Sequence, residues 1–489
     1  MRGGCGVVLA MVLALSACSP EDDRRTAALS FAPCAAGWEM VPPDRRDRLD
    51  VGCATLTVPL DHADPGRGSI GMAVIRVRAA DQRQRIGSLV LNPGGPGVSG
   101  VDFMSTWAAW FPDDLLARFD LVSFDPRGTG RSAPIRCRSL PDEHAALPDL
   151  RTDTGWATAT VRMRERAQAC QDALGDRASL YSTDATARDM DLLRAALGDD
   201  RLTFVGWSYG ARLGAHYARL YPGHVRALVL DAPPAAQTPW LDVVESRIAG
   251  FEAAFGTYAA QCASRETCAT FGDARALLDR VVQQARTRPI PSFRPSSDPP
   301  ATWDLVVRSV LGFLAASELW SLLDSALAEA AAGDSGSLHE MVDALEGRTP
   351  ANQDADTDAA ASVVLCNDSA TGANPSQADA IRLARDHPTF GEFGAWWLYA
   401  CSYWAVPHQA LPASPLTVAS PVLIVGTMSD PATPYTGVTQ FAESVGERGV
   451  LLTWSGSGHT AFGRSPCVGA YVTSYLIGLA TPKIGTVCE

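Results

Sequence analysis

Lysine is almost missing from this chain of 489 residues: Lys483 is the only one, and arginine supplies the rest of the 41 basic residues. Aspartate and glutamate number 54, which sets the formal net charge at −13. Nucleic acids and other polyanions need a basic face, so they are excluded as partners. Long apolar runs are missing beyond the N-terminus, which excludes a bilayer-spanning helix later in the chain. Glycine (42) and proline (33) stand near average usage without a period, which excludes collagen-like and low-complexity classes. Hydrophobic residues make up 46% of the chain, enough for a sizeable core, and wholesale disorder is excluded. The length exceeds one average domain and fits either one large domain with an insertion or two to three units.

Arg2 precedes an apolar run from Val7 to Leu15. The run is too short to cross a bilayer but fits the core of a signal peptide. It ends in Leu15-Ser16-Ala17-Cys18, which resembles a bacterial lipobox, where the cysteine is lipidated and becomes the mature first residue. The expectation is a signal peptide over residues 1–17, a lipid on Cys18 and a tether over 18–33. Such a protein is exported, either extracellular or held on the outer face of the cytoplasmic membrane. It touches that membrane only through the anchor.

Of the 12 cysteines, Cys5 would leave with the signal and Cys18 would carry lipid, so ten remain. These cluster as sequence neighbours, and neighbour pairing predicts five disulfides: Cys34–Cys53, Cys137–Cys170, Cys262–Cys268, Cys366–Cys401 and Cys467–Cys488. No Cys-x-x-Cys pair occurs and no histidine stands beside them at ligand spacing, so a zinc site is not expected.

Short β-branched or apolar runs alternate with helical patterns. Leu56–Leu60, Met72–Val77, Gly87–Leu91, Leu121–Phe124, Leu202–Val205 and Ala227–Leu230 read as six strands. Val422–Val425 and Val450–Trp454 follow much later. This alternation predicts an α/β fold: a mostly parallel sheet flanked by helices, with a helical cap inserted after the sixth strand. The boundaries expected are 34–234 for the first part of the core, 235–415 for the cap and 416–489 for the C-terminal part. Thr183–Leu197 reads as a helix capped by Thr183 and stopped by Gly198, and Leu305–Phe313 and Leu319–Ala332 as cap helices.

Gly206-Trp207-Ser208-Tyr209-Gly210 is a G-x-S-x-G motif with a strand before it and a helical pattern from Tyr209 to Leu220 after it. That strand–turn–helix setting exposes the serine at the sheet's edge and needs small flanking residues. A serine hydroxyl is a weak nucleophile at its own pKa and needs a base. Among eight histidines only His459 sits just after a late strand. Asp430 follows the strand before that, so the order is serine, acid, histidine. A carboxylate there would fix the tautomer of His459 and stabilise its imidazolium. Thr433-Pro434 reads as a helix start that fixes the Asp430 loop or borders the site. Attack on a carbonyl also needs oxyanion donors. One is the Tyr209 N–H, and the other comes from the loop Asn92-Pro93-Gly94-Gly95-Pro96-Gly97. A Gly-Lys-Ser/Thr phosphate loop is excluded, since the one lysine stands elsewhere.

Gly94-Gly95-Pro96-Gly97 after the third strand is similar to the His-Gly-Gly-Pro-Gly loop of proline-iminopeptidase-like α/β-hydrolases. Asp125-Pro126-Arg127-Gly128-Thr129-Gly130-Arg131-Ser132 is similar to their D-x-R-G-x-G-x-S loop. With Ser208, Asp430 and His459, the chain resembles the secreted tripeptidyl aminopeptidases of actinobacteria from about Cys53 to its end. One departure is Pro93, where the wider clan has histidine. The resemblance implies Gly95 as the second oxyanion donor, a cap over the site and release of short peptides from free N-termini. No metal or organic cofactor is expected, because the chain itself provides attack, proton transfer and oxyanion stabilisation; the expected partner is a peptide substrate and the expected state a monomer. An aminopeptidase also needs a carboxylate for the substrate ammonium, for which Glu252, Glu318 and Asp368 are candidates. Trp396, Trp397, Tyr403 and Trp404 either line a pocket or fill the cap. The alternative is a carboxylesterase or lipase-like enzyme with the same triad, and a third reading is an idle binding lipoprotein.

Overall fold

The computed structural model describes residues 28–34, 47–137, 145–235, 239–269, 272–294, 298–346, 348, 357–369, 375–406, 411 and 415–489. The expectations for residues 1–27, Cys18 included, lie outside the described residues.

The central strands are unbroken apolar runs because both of their faces are covered. Nine strands form one sheet: β1 (Val51–Pro59), β2 (Ser69–Val77), β3 (Gly87–Asn92), β4 (Phe119–Phe124), β5 (Leu202–Trp207), β6 (Val225–Asp231), β7 (Val422–Ser429), β8 (Gly449–Ser457) and β9 (Val487–Cys488). Their spatial order is β1-β2-β4-β3-β5-β6-β7-β8-β9. β1 and β2 pair antiparallel, as do β2 and β4, and from β4 to β9 every pairing is parallel. This is the mostly parallel α/β-hydrolase sheet that the sequence predicted. The sequence reading did not include β9, and it gave β1 and β2 less than their full length.

Helices α1 (Gly100–Trp107) and α2 (Asp113–Arg118) follow β3, and α3 (Asp153–Leu174) and α4 (Thr183–Ala196) precede β5. Helix α5 (Tyr209–Leu220) joins β5 to β6. Between β6 and β7 come α6 (Trp240–Ala260), α7 (Ala274–Thr287), α8 (Trp303–Leu314), α9 (Trp320–Ala332), α10 (Gly336–Leu345), α11 (Thr357–Asp368) and α12 (Gln377–Asp386). Helices α13 (Tyr435–Val445) and α14 (Pro466–Gly478) complete the chain's later part.

Period-two alternation sorts each strand between two cores. Val90, Phe204, Leu228 and Ile424 pack with α4, α5 and α13 on one face. Leu91, Val205, Val229 and Val425 pack with α1, α2 and α14 on the other. The helices between β6 and β7 bury a core of their own, with Phe255, Tyr258, Trp303, Trp320 and Leu327 at its centre. Trp396 belongs to it, and Trp397 and Tyr403 pack against it. Trp404 donates its indole N–H to Asn367.

Five disulfides join Cys34 to Cys53, Cys137 to Cys170, Cys262 to Cys268, Cys366 to Cys401 and Cys467 to Cys488, each to its sequence neighbour. Among the described residues no helix is long and apolar enough to cross a membrane. Disulfides persist in oxidising compartments, which fits an exported protein.

Two helix starts differ from the sequence reading. Ser182, not Thr183, caps α4, because its hydroxyl accepts the Ala185 N–H. Pro434, not Thr433, occupies the capping position of α13. In both cases the threonine is drawn off by a carboxylate: Thr183 bonds Asp368 and Thr433 bonds Asp430.

Candidate active site

Ser208 stands between β5 and α5 at φ 56°, ψ −120°, a backbone conformation that costs about 1–3 kcal/mol for a residue with a Cβ. The neighbours make room for it. A methyl group on Gly206 would meet the Gly210 carbonyl at 2.2 Å, and one on Gly210 would meet Asn92 O at 2.4 Å. The β5–α5 turn is therefore pressed against itself and against the end of β3, and only glycine fits. The turn leaves the Tyr209 N–H at the first position of a helix, where no intrahelical acceptor exists. The Ser208 hydroxyl bonds no described residue.

The loop after β3 meets this turn. A Cβ on Gly94 would lie 3.2 Å from both the Ser208 Cβ and the Tyr209 nitrogen. The Gly94 N–H is taken by the Asn92 side chain at 3.1 Å. The Gly95 N–H has no acceptor among the described residues, and Gly95 is exposed. Of the two glycines, Gly95 is thus the one with a donor to offer beside Tyr209.

The acid and the histidine come together at the ends of β7 and β8. His459 Nδ1 lies 2.9 Å from Asp430 Oδ2 and 3.1 Å from Oδ1. The Asp430 carboxylate is fully buried and also accepts the Ala432 and Thr433 N–H groups and the Thr433 hydroxyl. These three bonds from two residues, with the Thr460 N–H at 3.3 Å, fix its orientation and leave one edge to the imidazole. The His459 ring remains partly exposed.

Two devices hold the His459 loop, and the sequence reading named neither. Asp231 ends β6, and its backbone oxygen accepts the Ser208 N–H at 2.8 Å. Its buried carboxylate accepts the Ala461 N–H at 3.0 Å and the Phe462 N–H at 2.7 Å. One residue thus links the serine turn to the histidine loop. Burial pushes the Asp231 carboxyl up to about 7; the two N–H bonds and His459 pull it down, and the Asp430 charge adds to the rise. The second device comes from the cap. Ala315 O accepts the His459 N–H at 2.7 Å. Arg464 donates to the carbonyls of Ser457, His459 and Thr460 and pairs with Glu318 at 2.6 Å. A strand-end aspartate and a lone arginine carry no sequence motif, so only the fold reveals them.

The D-x-R-G-x-G-x-S loop turns out to be scaffold. Asp125 accepts the Ser99 hydroxyl and the N–H groups of Val101 and Arg131. Arg127 is buried and pairs with Asp189 at 2.7 Å. These contacts seat the start of α1 and the end of the loop after β3. The three candidate amine anchors are all committed elsewhere. Glu252 accepts the N–H groups of Thr389 and Phe390, and Glu318 pairs with Arg464. Asp368 is buried against Thr183, its carboxyl raised to about 6 by that burial.

A cleft of about 1140 Å³ opens at His459. Phe103, Trp107, Trp110, Phe111 and Trp207 line it, and Trp107 and Trp110 are half exposed. Trp207 stacks on Phe462 at 5.9 Å, so the wall beside the histidine is rigid and aromatic.

Fold and site together define a hydrolase of the α/β type with a serine–histidine–carboxylate arrangement. Residues 87–309 match the family model described as alpha/beta hydrolase fold, and residues 387–488 match the one described as TAP-like protein. The chain is 33% identical over 460 residues to serine protease Hip1 of Mycobacterium tuberculosis, covering 89% of this chain and 87% of that protein. It is 36% identical over 461 residues to carboxylesterase B of the same species, covering 89% and 86%. Tripeptidyl aminopeptidase of Streptomyces coelicolor is 31% identical over 485 residues, covering 94% and 86%. The chain belongs to the α/β-hydrolase family, in the branch that ends in a TAP-like segment.

Proposed function

We propose that the protein is an exported serine peptidase that releases short peptides from free N-termini. The observation that carries the reading is the 2.9 Å pairing of His459 with the buried Asp430 at the same sheet edge as the strained Ser208 turn. Ser208 Oγ attacks the scissile carbonyl while His459 Nε2 takes its proton. Asp430 holds the Nδ1–H and stabilises the imidazolium. The Tyr209 and Gly95 N–H groups receive the oxyanion. His459 then returns the proton to the leaving amine, and water, activated by the same base, releases the acyl group from Ser208. Relatives named serine protease and tripeptidyl aminopeptidase support the peptide as substrate.

The lipid anchor on Cys18 and the outer face of the cytoplasmic membrane complete the proposal, on the strength of the N-terminal sequence. Mass spectrometry of the mature N-terminus tests them: a diacylglyceryl-modified Cys18 is expected, and an unmodified residue at that position overturns the anchor.

The same apparatus serves ester hydrolysis, and two observations favour that second reading: the apolar cleft at His459 and the relative named carboxylesterase B. Peptide arylamides, free and N-acetylated, should be compared with acyl esters of increasing chain length. Loss of cleavage on acetylation supports the aminopeptidase. Indifference to acetylation with strong long-chain ester turnover favours the esterase.

A further inference from the structure

The cap offers the site a cation where an N-terminal exopeptidase needs an anion. Helix α6 crosses directly over the acid loop: a methyl group on Gly250 would lie 2.6 Å from Pro431 O. Arg247 is three residues earlier, so it projects from the same face of α6 toward that loop. Its guanidinium lies 4.6 Å from the centre of the Trp397 ring and 6.0 Å from that of Phe251. Trp397 is itself held, edge-on to Phe393 and with its carbonyl bonded by the Trp240 indole at 2.8 Å. A planar cation resting on a fixed aromatic plate keeps its N–H edge free for a planar acceptor.

Other arginines of the cap also rest on rings, but they have partners. Arg265 bonds Asp324, Arg275 bonds Thr389, and Arg286 bonds Glu392. Arg247 makes no hydrogen bond and no ion pair with a described residue. Desolvation by the neighbouring cap and core atoms lowers its pKa from the ordinary value, and the Asp430 charge opposes this. Asp430 is already saturated by Ala432, Thr433 and His459. Arg247 is exposed to solvent. An exposed guanidinium without a protein partner, held on an aromatic ring beside the acid loop, is open to a ligand that docks there.

We propose that Arg247 reads a carboxylate on the substrate, so that the preferred peptides carry an acidic side chain close to the scissile bond. The proposal rests on the peptidase reading above and narrows its substrate class. Bidentate pairing of a guanidinium with a carboxylate is a strong, directional contact, worth tenfold or more in selectivity.

The experiment has two arms. In the first, peptides with a free N-terminus carry Glu or Gln at each position around the cut. The wild type should prefer Glu by tenfold or more at one position, chiefly through KM. In R247Q that ratio should fall to about one, and R247K should restore part of it. An equal Glu/Gln ratio in wild type, or a preference that survives in R247Q, overturns the proposal. In the second arm, glutarate and glutaramide are tested at equal ionic strength for protection of Ser208 against a fluorophosphonate. Glutarate should slow labelling of the wild type more than glutaramide does, and the difference should vanish in R247Q. Equal protection by both compounds overturns the proposal. A chain that cleaves no peptide but shows the glutarate effect overturns the peptidase reading alone.

Discussion

The serine half and the histidine half of the site are built in opposite ways. Ser208 owes its position chiefly to residues within a few places of it, in β5, Gly206, Gly210 and α5, with the Gly94 loop after β3 packed against them. His459 owes its position to three other segments and to Arg464, five residues further along its own loop. Asp430 comes from the end of β7, Asp231 from the end of β6, Ala315 and Glu318 from the cap, and Arg464 from the start of the final helical region. The first half is local and sterically determined, and the second is assembled by long-range polar contacts. Damage should therefore be abrupt and steric in one half, but graded and dependent on pH or on the cap in the other.

The largest effect is expected from Ser208→Ala, which should abolish fluorophosphonate labelling and lower turnover by roughly 10⁶-fold while the protein stays folded. Persistent labelling would remove Ser208 from its role. Gly94→Ala comes next. Its Cβ would meet Trp207 O at 2.4 Å, at a φ of 101° that disfavours any side chain. The loop must retreat from Tyr209, and the loss of one aligned oxyanion donor predicts a fall of about 10²–10³ in kcat. A Gly94→Ala enzyme with wild-type kcat would refute the local account of the serine half.

The local half was legible in the sequence because its rules are short-range. G-x-S-x-G, flanked by an apolar strand and a helical pattern, fixes the turn, the position of the candidate nucleophile and the need for glycine. The order Ser208, Asp430, His459 followed from strand positions. Asp231 and Arg464 were not legible, because a carboxylate at a strand end and an arginine in a loop look like surface residues until the fold closes over them. The partners of the amine-anchor candidates were hidden for the same reason: spacing does not tell that Glu252 accepts two backbone N–H groups or that Asp368 bonds Thr183.

Asp231 gives the long-range half a pH signature. Its carboxyl titrates near 7 in the folded protein and near 3.8 in the unfolded chain. Between those values the folded state holds the extra proton, so stability falls as pH rises from about 4 to 7. Some three pH units at about 1.4 kcal/mol each make this about 4 kcal/mol, fully present below pH 4 and lost above pH 7. Asp368, raised to about 6, contributes in the same direction. Asp231→Asn should flatten the fall in melting temperature across that window, and Asp368 should leave a residual slope. It should also loosen Ala461 and Phe462 and reduce kcat. An unchanged slope in Asp231→Asn would show that this carboxyl does not titrate there.

The smallest effects separate the cap's grip from its mere presence. Arg464 makes three bonds to carbonyls around His459 and one exposed pair with Glu318, whose side chain is 57% accessible. An exposed ion pair contributes about 0–1 kcal/mol, whereas leaving partly buried carbonyls without donors costs more. Arg464→Gln should therefore reduce kcat about tenfold with little change in melting temperature, because the histidine loop gains freedom while the core stays packed. Glu318→Gln should lower kcat less than threefold, and that small loss should shrink further in high salt. If both substitutions cost the same, the grip runs through the Glu318 pair, and the cap would hold the histidine electrostatically rather than through the backbone carbonyls of its loop.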